Sequence, residues 1–469
     1  MAFKLLIDGA LVEGAAKLEV VNPATARPFE VAPRASLEQL DAAVAAAKRA
    51  FPAWSGLARL ERRAFLEAFA FAVEVRLEEF SKLLVLEQGK PLPQAQREMR
   101  VAIAALRAFG GFEVPAVVLR DTSEERILEQ RDPLGVVAAI TPWNFPMTLL
   151  VLKVAPALAL GNTVVAKPAP TTPLTALLLG EVAAAVLPPG VFNVIVDAND
   201  LGAALTSHPD VAKVSFTGST ATGRKVMASG ASSLKRLTLE LGGNDAAIVL
   251  DDADIDQVAP RLFLAAMMNA GQVCFAAKRI YAPRPLVGPL GEALARLSSE
   301  AIVTDGLEQG AQMGPLQNRL QYDKVLSIIE DSTRQGTVLS GGAALEREGY
   351  FIAPTFVGDL PDDARLVCEE QFGPVTPLLA YDSLDEAVSR ANDSEYGLGA
   401  TVWSADYERG ISVAGRLQAG TVWVNKHFDI QFDVPIGGAK QSGVGRELGL
   451  EGLKEFTQAR VIHAAKAAA

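Results

Sequence analysis

Two residues far apart in the chain carry side chains that could catalyse a covalent reaction. Cys274, in Gly271-Gln-Val-Cys274, is one of two cysteines among 469 residues, and a cysteine thiolate is a strong nucleophile. Glu240, in Glu240-Leu-Gly-Gly243, could act as a general base through a water molecule. Each has an ordinary interpretation, because free cysteines are often small buried hydrophobic residues and glutamates are often solvated or ion-paired. The two segments together are more informative than either residue alone.

Histidine chemistry has little support in this sequence. The chain has three histidines, and only His427 is a plausible base for a cysteine–histidine hydrolase. The two cysteines, Cys274 and Cys368, are far apart, so no local zinc site of the histidine and cysteine type can be assembled. We predict no metal centre, and a site built from carboxylates alone is left open but has no support in the sequence.

A glycine- and serine-containing segment could bind phosphate. Gly218 to Lys225 nearly fits a P-loop, but Arg224 occupies the lysine position of that motif and Lys225 its Ser/Thr position. The segment is not a G-x-G-x-x-G fingerprint either. Gly218 and Ser219 nevertheless lie between a predicted strand and a predicted helix, where free backbone N–H groups bind anions. A phosphate site and an ordinary turn both fit this pattern.

Composition and charge exclude several classes of protein. With 49% hydrophobic and 21% charged residues, the chain is typical of a globular protein. A net charge of −11 without a basic run argues against a nucleic-acid partner. The apolar region 147–166 is interrupted by Lys153, Pro156, Gly161 and Asn162, so we expect no membrane helix. The two cysteines and the absence of a signal-peptide pattern predict a cytoplasmic protein.

The elements that must position these residues form an α/β pattern. A capping box at Ser36 to Gln39 predicts a helix through Ala50, where Pro52 should end it. Segments 116–120 and 126–131 suit a hairpin. From Leu134 onward, short apolar runs at 136–141, 163–167, 191–196 and 212–216 alternate with helices, which predicts a parallel sheet. Gly242-Gly243 is the expected domain boundary, and a second α/β unit follows to about residue 424.

Six motifs give the chain a resemblance to a known family. They are Thr141-Pro-Trp-Asn-Phe-Pro146, Ser215-Phe-Thr-Gly-Ser219, Glu240-Leu-Gly-Gly243, Gly271-Gln-Val-Cys274, Glu370-Gln-Phe-Gly-Pro374 and Gly437-Gly-Ala-Lys-Gln-Ser-Gly443. In this order and spacing they resemble the aldehyde dehydrogenase superfamily, over nearly the whole chain from Leu6 to Phe456.

The resemblance implies an architecture. We expect a Rossmann-like dinucleotide-binding domain at 1–115 and 133–241, and an α/β catalytic domain at 242–440. A small β oligomerisation element would comprise 116–132 and 455–469, which implies a homodimer or homotetramer by analogy.

The resemblance also implies roles for individual residues. Cys274 is similar to the family nucleophile, Asn144 to the amide that stabilises the oxyanion, and Glu240 to the base that hydrolyses the thioester. The implied cofactor is NAD or NADP: Gly218 and Ser219 match the pyrophosphate contacts, Lys167 the adenosine ribose contact and Glu370 the nicotinamide ribose contact. The remaining implied pocket residues are Trp143, Leu241 and Phe372 for the cofactor, and Phe145, Phe275, Phe428 and Ile436 for the aldehyde substrate.

Three departures from the family pattern bear on selectivity. Pro170 stands where many NAD-preferring relatives have a glutamate, Phe275 is larger than usual beside the nucleophile, and Ile436 replaces a common phenylalanine. Two alternatives also stay open: a subclass that passes the acyl group to coenzyme A, and a non-catalytic binding or structural member of the fold. Retention of Cys274, Glu240 and Asn144 favours a hydrolysing enzyme.

Overall fold

The computed structural model describes residues 3–466, so the outermost residues of the predicted segments 1–115 and 455–469 lie outside the described residues. Two short 3₁₀ turns lie at Ala231–Ser233 and Met268–Gly271. The helices are α1 (Leu37–Ser55), α2 (Arg59–Val75), α3 (Leu77–Gln88), α4 (Leu92–Gly111), α5 (Pro146–Ala159), α6 (Leu174–Val186), α7 (Gly202–Ser207), α8 (Thr220–Gly230), α9 (Ile255–Met267), α10 (Arg284–Glu300), α11 (Arg319–Gln335), α12 (Arg365–Cys368), α13 (Leu384–Asn392), α14 (Tyr407–Ala414) and α15 (Gly449–Lys454).

The strands belong to two large sheets and three small ones. They are β1 (Leu5–Ile7), β2 (Ala10–Val12), β3 (Ala16–Asn22), β4 (Arg27–Arg34), β5 (Val117–Asp121), β6 (Glu125–Pro133), β7 (Val136–Ile140), β8 (Thr163–Lys167), β9 (Phe192–Val194), β10 (Val211–Thr217), β11 (Arg236–Glu240), β12 (Ala246–Val249), β13 (Arg279–Pro283), β14 (Thr337–Ser340), β15 (Thr355–Gly358), β16 (Val375–Tyr381), β17 (Tyr396–Gly397), β18 (Gly399–Trp403), β19 (Thr421–Val424), β20 (Ala439–Lys440), β21 (Gly443–Val444) and β22 (Thr457–Ala465).

The first large sheet has the strand order β2-β1-β9-β8-β7-β10-β11-β21. Its central strands β9, β8, β7, β10 and β11 are parallel. Every residue of β7 and β8 is buried, as expected for parallel strands covered on both faces. The chain runs outward from β7 to β9 and then places β10 on the other side of β7. Such a reversal leaves a ligand-binding crevice at the carboxyl ends of the strands.

The second large sheet has the order β14-β15-β16-β13-β12-β18-β19. All its neighbours are parallel except the edge pair β14 and β15. Each large sheet is surrounded by its own hydrophobic core. Val273 and Phe275, which flank Cys274, pack in the first core, whereas Ala277 packs in the second. The nucleophile loop therefore lies at the junction of the two cores.

The predicted hairpin is confirmed as β5 and β6, which form a three-stranded sheet with β22. The predicted α/β class, with two parallel sheets and this small β element, is confirmed as well. No helix within residues 3–466 is long and apolar enough to cross a membrane.

The prediction that Pro52 ends the first helix is wrong, because α1 continues to Ser55 with Pro52 inside it. A proline removes one backbone donor, and near a helix end that loss affects few bonds. Trp54 offsets the hydrogen bond lost at Pro52, because its side chain is buried and its indole N–H donates to the Leu158 carbonyl at 3.1 Å. Tertiary packing thus extends the helix past its local stop signal.

Candidate active site

Polar side chains gather where the parallel strands of the first sheet end. Thr141 follows β7, Thr217 ends β10 and Glu240 ends β11. Among residues 3–466, each of the three has a buried side-chain oxygen without a hydrogen-bond partner. An unpartnered buried polar group costs about 1–3 kcal/mol, so these three oxygens are available to bind water or a ligand. These groups lie beside the strand reversal between β7 and β10, where a ligand is expected.

Glu240 ends β11 next to a buried ion pair. Lys153 of α5 and Glu447 form this pair, with almost no exposure of either side chain. Burial raises the pKa of the Glu240 carboxyl well above its usual range, and the charge of Glu447 raises it further. Lys153 opposes that shift. A glutamate with a raised pKa is suited to accept a proton near neutral pH.

The loop that carries Cys274 has a strained backbone. Asn269, Ala270 and Gly271 follow α9 with φ angles of 51°, 55° and 70°. Positive φ is uncommon for residues other than glycine, and such strain persists only where the surroundings enforce it. A Cβ at Gly271 would lie 2.2 Å from the carbonyl oxygen of Gly373, so no larger residue fits there. Backbone strain of this kind is typical of functional sites, so it marks this loop as a candidate part of the active site.

Asn144 connects the first sheet to this loop. Its Nδ2 donates to the Gln272 carbonyl at 3.0 Å. The backbone carbonyl of Asn144 accepts from Asn269 Nδ2 at 3.0 Å and from Lys90 Nζ at 2.9 Å. A side-chain amide carries two N–H donors, so one remains for a ligand oxygen. The structure therefore brings the predicted oxyanion donor to the nucleophile loop.

The Cys274 thiol is surrounded by charged groups. Burial raises the pKa of this thiol to about 12, and the carboxylates of Glu240, Asp245 and Glu370 also raise it. Lys278 lowers it. Because the thiolate is the reactive form, the resting site holds the nucleophile in its protonated form.

The predicted pyrophosphate residues lie at a helix N-terminus. Ser219 caps α8 by accepting a hydrogen bond from Thr222 N at 3.2 Å. Gly218 N donates to the Glu240 carbonyl at 3.0 Å, which ties the start of this helix to the end of β11. A Cβ at Gly223 would lie 2.4 Å from a methyl group of Leu241, so α8 packs directly on that residue. An anionic group fits this helix N-terminus.

The other predicted cofactor residues each have a defined partner in the structure. Glu370 Oε1 accepts from Gly243 N at 2.9 Å. The rings of Trp143 and Phe372 meet edge to face with centroids 5.4 Å apart. Lys167 lies at the end of β8, where its ammonium is ion-paired with Asp197 at 2.7 Å. The positive charge of Lys167 is therefore already balanced within the protein.

The predicted substrate residues form an aromatic cluster, with one exception. The ring centroids of Phe145 and Phe428 are 6.1 Å apart, and those of Phe275 and Phe428 are 6.2 Å apart. Ile436 is buried in the same core but is held by two backbone hydrogen bonds to Glu447, at 2.8 and 2.9 Å. The structure thus joins the three aromatic residues and links Ile436 to the charged group behind Glu240.

His427 is not placed as a base for the thiol. Its Nε2 lies 2.6 Å from the Phe275 carbonyl oxygen, so this nitrogen carries the proton. Burial lowers the pKa of His427 to about 4, which keeps the ring neutral at neutral pH. In the part of the chain from Phe3 to Lys466, no group of three or more histidine, cysteine or acidic residues could hold a metal ion.

Several buried charges in the site were missed by the sequence reasoning. Lys90, Lys278 and Glu447 were not singled out, and Lys153 was noted only as an interruption of an apolar run. That interruption was a usable signal, because a lysine inside a buried helix needs a partner. For Lys90 and Lys278 the local sequence gives no comparable sign.

Two α/β sheets meet at the loop that carries Cys274, and Glu240 and Asn144 lie after strands of the first sheet, an arrangement that fits an enzyme acting through a cysteine. The model of the aldehyde dehydrogenase family matches residues 11–462. The geranial dehydrogenase of Castellaniella defragrans is 39% identical over 452 residues, which cover 95% of this chain and 94% of that protein. This chain belongs to the aldehyde dehydrogenase family.

Solved structures have the same fold. The NAD+ complex of an aldehyde dehydrogenase from Bacillus cereus superimposes with a TM-score of 0.97, at 36% identity and 100% coverage of this chain and 97% of that one. An NADP-dependent enzyme from E. coli superimposes with a TM-score of 0.96, also at 36% identity, with coverage of 99% and 98%.

Proposed function

We propose that this enzyme oxidises apolar aldehydes to carboxylic acids, with NAD or NADP as the oxidant, Cys274 as nucleophile and Glu240 as base. The observation that carries this proposal is the hydrogen bond of 3.0 Å between Asn144 Nδ2 and the Gln272 carbonyl. This bond holds the Asn144 amide, which follows a strand of the first sheet, against the loop that carries Cys274. An aldehyde oxygen can therefore accept hydrogen bonds from the Asn144 amide and from the backbone of that loop. The CoA-acylating and non-catalytic alternatives have no comparable support.

The first step is addition of the Cys274 thiolate to the aldehyde carbon. The carbonyl oxygen gains negative charge, and the free N–H of Asn144 together with the backbone N–H of Cys274 stabilises it. Donors fixed in this way favour the tetrahedral thiohemiacetal over the planar aldehyde. Because burial holds the pKa of Cys274 high, a base must take the thiol proton before attack, and we assign this transfer to the Glu240 carboxylate.

The residues present fit a dinucleotide. Ser219 and the start of α8 would hold the pyrophosphate, Lys167 the adenosine ribose and Glu370 the nicotinamide ribose, with Trp143, Leu241 and Phe372 around them. When bound, NAD or NADP supplies the acceptor for the hydride that leaves the thiohemiacetal carbon, so that a thioester to Cys274 remains.

Glu240 completes the reaction as general base. Its carboxylate takes a proton from water while the water oxygen attacks the thioester carbonyl, and the bond between that carbon and the Cys274 sulfur breaks. The raised pKa of Glu240 suits this task, because the base must accept a proton readily. The carboxylic acid is then released.

Replacement of the nucleophile tests this assignment. Cys274→Ala should abolish aldehyde-dependent NAD(P)H formation, measured by absorbance, whereas Cys368→Ala should retain it. Cys368 is the matched control because it is exposed and, among the described residues, its thiol makes a single hydrogen bond, to the Asp362 carbonyl at 3.1 Å. Retained turnover in Cys274→Ala would contradict the proposal. A requirement for coenzyme A in product formation would instead favour the acylating subclass.

The aromatic cluster supports the preference for apolar or aromatic aldehydes over anionic semialdehydes. The two cationic candidates nearby do not favour a carboxylate: His427 is neutral, and Lys426 is paired with Asp429 at 2.6 Å. We expect higher kcat/KM for benzaldehyde and hexanal than for succinic semialdehyde. The reverse order would overturn this preference.

The domain assignment and the oligomeric state remain proposals. The dinucleotide domain would comprise 1–115 and 133–241, the catalytic domain 242–440, and the oligomerisation element 116–132 and 455–469. Exposed apolar residues support a subunit interface on the oligomerisation element. Its exposed apolar side chains, 37–53% exposed, are Val117, Val118, Leu119, Val461 and Ile462. We infer a homodimer or homotetramer located in the cytoplasm. Val118→Lys should lower the mass measured by light scattering if this surface joins subunits.

A further inference from the structure

Lys278 is a buried lysine that the reaction described above does not use. It lies four residues after Cys274, and its side chain is 1% exposed. A buried ammonium group is costly unless it is paired and hydrogen-bonded. Its partners therefore indicate what its charge does.

The ammonium of Lys278 contacts both sides of the site. Its Nζ donates to the Val273 carbonyl at 2.9 Å and also to the carbonyl of Cys274. It lies 3.5 Å from Oε1 of Glu370. One cation thus joins the nucleophile loop to the carboxylate expected to hold the nicotinamide ribose.

Glu370 is held in place from a second direction. Its Oε1 also accepts from Gly243 N at 2.9 Å. A Cβ at Gly242 would lie 2.5 Å from Oε2 of Glu370, so the carboxylate rests against backbone there. The position of this carboxylate relative to Lys278 is therefore fixed by the double glycine.

A simple loop clamp would need hydrogen-bond donors but no charge. Lys278 lowers the pKa of the Cys274 thiol, whereas the carboxylates of Glu240, Asp245 and Glu370 raise it. The Asp245 carbonyl also accepts from Lys278 N at 3.0 Å, so this acidic residue borders the same lysine. The surroundings favour an electrostatic role in addition to a structural one.

We propose that Lys278 is a positioning residue that fixes the carbonyls of Val273 and Cys274 and supplies the positive charge beside the thiol, which the Glu370 carboxylate partly cancels. The inference rests on the proposed role of Cys274 as nucleophile. It predicts opposite effects for two neighbours: removing the charge of Lys278 makes the thiol less acidic, and removing the charge of Glu370 makes it more acidic.

Alkylation of the thiol by iodoacetamide tests this inference without substrate or cofactor. The rate is measured against pH by intact mass, in a Cys368→Ala background that leaves a single cysteine. Lys278→Gln keeps a donor without charge, and we expect about tenfold slower alkylation at pH 8, since one pKa unit changes the thiolate fraction tenfold. Lys278→Arg, which keeps the charge, should retain most of the rate. Glu370→Gln should alkylate faster.

Lys213→Gln is the matched control. Lys213 is also buried, and its ammonium donates to Thr238 Oγ1 at 2.6 Å. Its replacement removes a buried lysine elsewhere and should leave the alkylation profile unchanged.

The proposal is overturned if Lys278→Gln alkylates as fast as the parent, or if Lys278→Gln and Glu370→Gln shift the profile in the same direction. If circular dichroism shows that Lys278→Gln does not fold, Glu370→Gln decides, and unchanged alkylation in that variant overturns the proposal. Failure of the proposed function would show in a different experiment. Retained aldehyde oxidation in Cys274→Ala would contradict the role of Cys274 as nucleophile, but it would not change these alkylation rates.

Discussion

The carboxyl groups of Glu240 and Glu370 both raise the pKa of the Cys274 thiol, yet the protein holds them in different ways. Glu240 is the last of three consecutive buried residues at the end of β11, and its Oε1 has no hydrogen-bond partner among the described residues. Glu370 lies in a loop, where its Oε1 accepts from Gly243 N and faces Lys278. One carboxylate has a free oxygen, and the other is fixed by backbone and charge.

This difference matches two different tasks. A base needs a free lone pair and a pKa near the working pH, and a buried carboxylate with an unpartnered oxygen has both. A carboxylate that binds a sugar hydroxyl needs a fixed orientation, which a backbone donor and a neighbouring cation supply. The partners of each side chain, rather than its type, therefore assign its role. Four predictions can break or sharpen this comparison.

Glu240→Gln should have the largest effect. Without a base, hydrolysis of the thioester should slow by about 10²–10⁴-fold, whereas the first hydride transfer is largely retained. Stopped-flow absorbance should show a burst of NAD(P)H followed by little turnover. Full steady-state turnover in this variant would show that the free carboxylate is not the base.

The sequence predicted the fold because its signals were local. Buried runs such as Val136 to Ile140 and the turn residues around them identify parallel strands without any knowledge of distant contacts. The motif residues Cys274, Glu240 and Asn144 lie at the junction of the two sheets because each motif follows a strand or a helix. The error at Pro52 arose from a distant partner, since Leu158 anchors Trp54.

The partners of the buried charges could not be predicted for the same reason. Lys153 pairs with Glu447, which lies 294 residues later in the chain. Lys278 faces Glu370 across two separate loops. No period or local motif reports such pairs, because they form only when the tertiary structure brings the two segments together. What the sequence lacked was therefore the electrostatic surroundings of the site rather than its reacting groups.

Glu370→Gln should weaken cofactor binding without abolishing the chemistry. A hydrogen bond to a charged group contributes about 1.5–3 kcal/mol, so we expect KM for the cofactor to rise roughly 10- to 100-fold. KM for the aldehyde should change far less. Steady-state kinetics with each reactant varied in turn measure both values. If turnover in Glu370→Gln were lost as completely as in Glu240→Gln, the two carboxylates would not have separate tasks.

Pro170 extends the comparison to a position where a carboxylate is missing. A glutamate about 4 Å from the 2′-phosphate of NADP would oppose binding by roughly 1–4 kcal/mol. Without it, this enzyme should use NADP appreciably as well as NAD. Pro170→Glu should lower kcat/KM for NADP about tenfold relative to NAD. A parent enzyme whose kcat/KM for NADP is a thousandfold below that for NAD would contradict the prediction.

The smallest expected effect concerns the ion pair behind Glu240. Activity requires the unprotonated base, so it should rise with pH through the pKa of Glu240, on the alkaline side of an ordinary glutamate. Glu447 raises that pKa and Lys153 lowers it.

Glu447→Gln should therefore move the acidic limb of the kcat profile to lower pH, by up to about one unit, and Lys153→Met should move it to higher pH. Glu451→Gln, which removes an exposed partner of Lys454, should leave the limb in place. Both variants lose the same buried ion pair, but they change the charge near Glu240 in opposite senses. If the pair only supports the structure, the acidic limb of the kcat profile should move in the same direction in both variants. If it sets the pKa of Glu240, the limb should move in opposite directions.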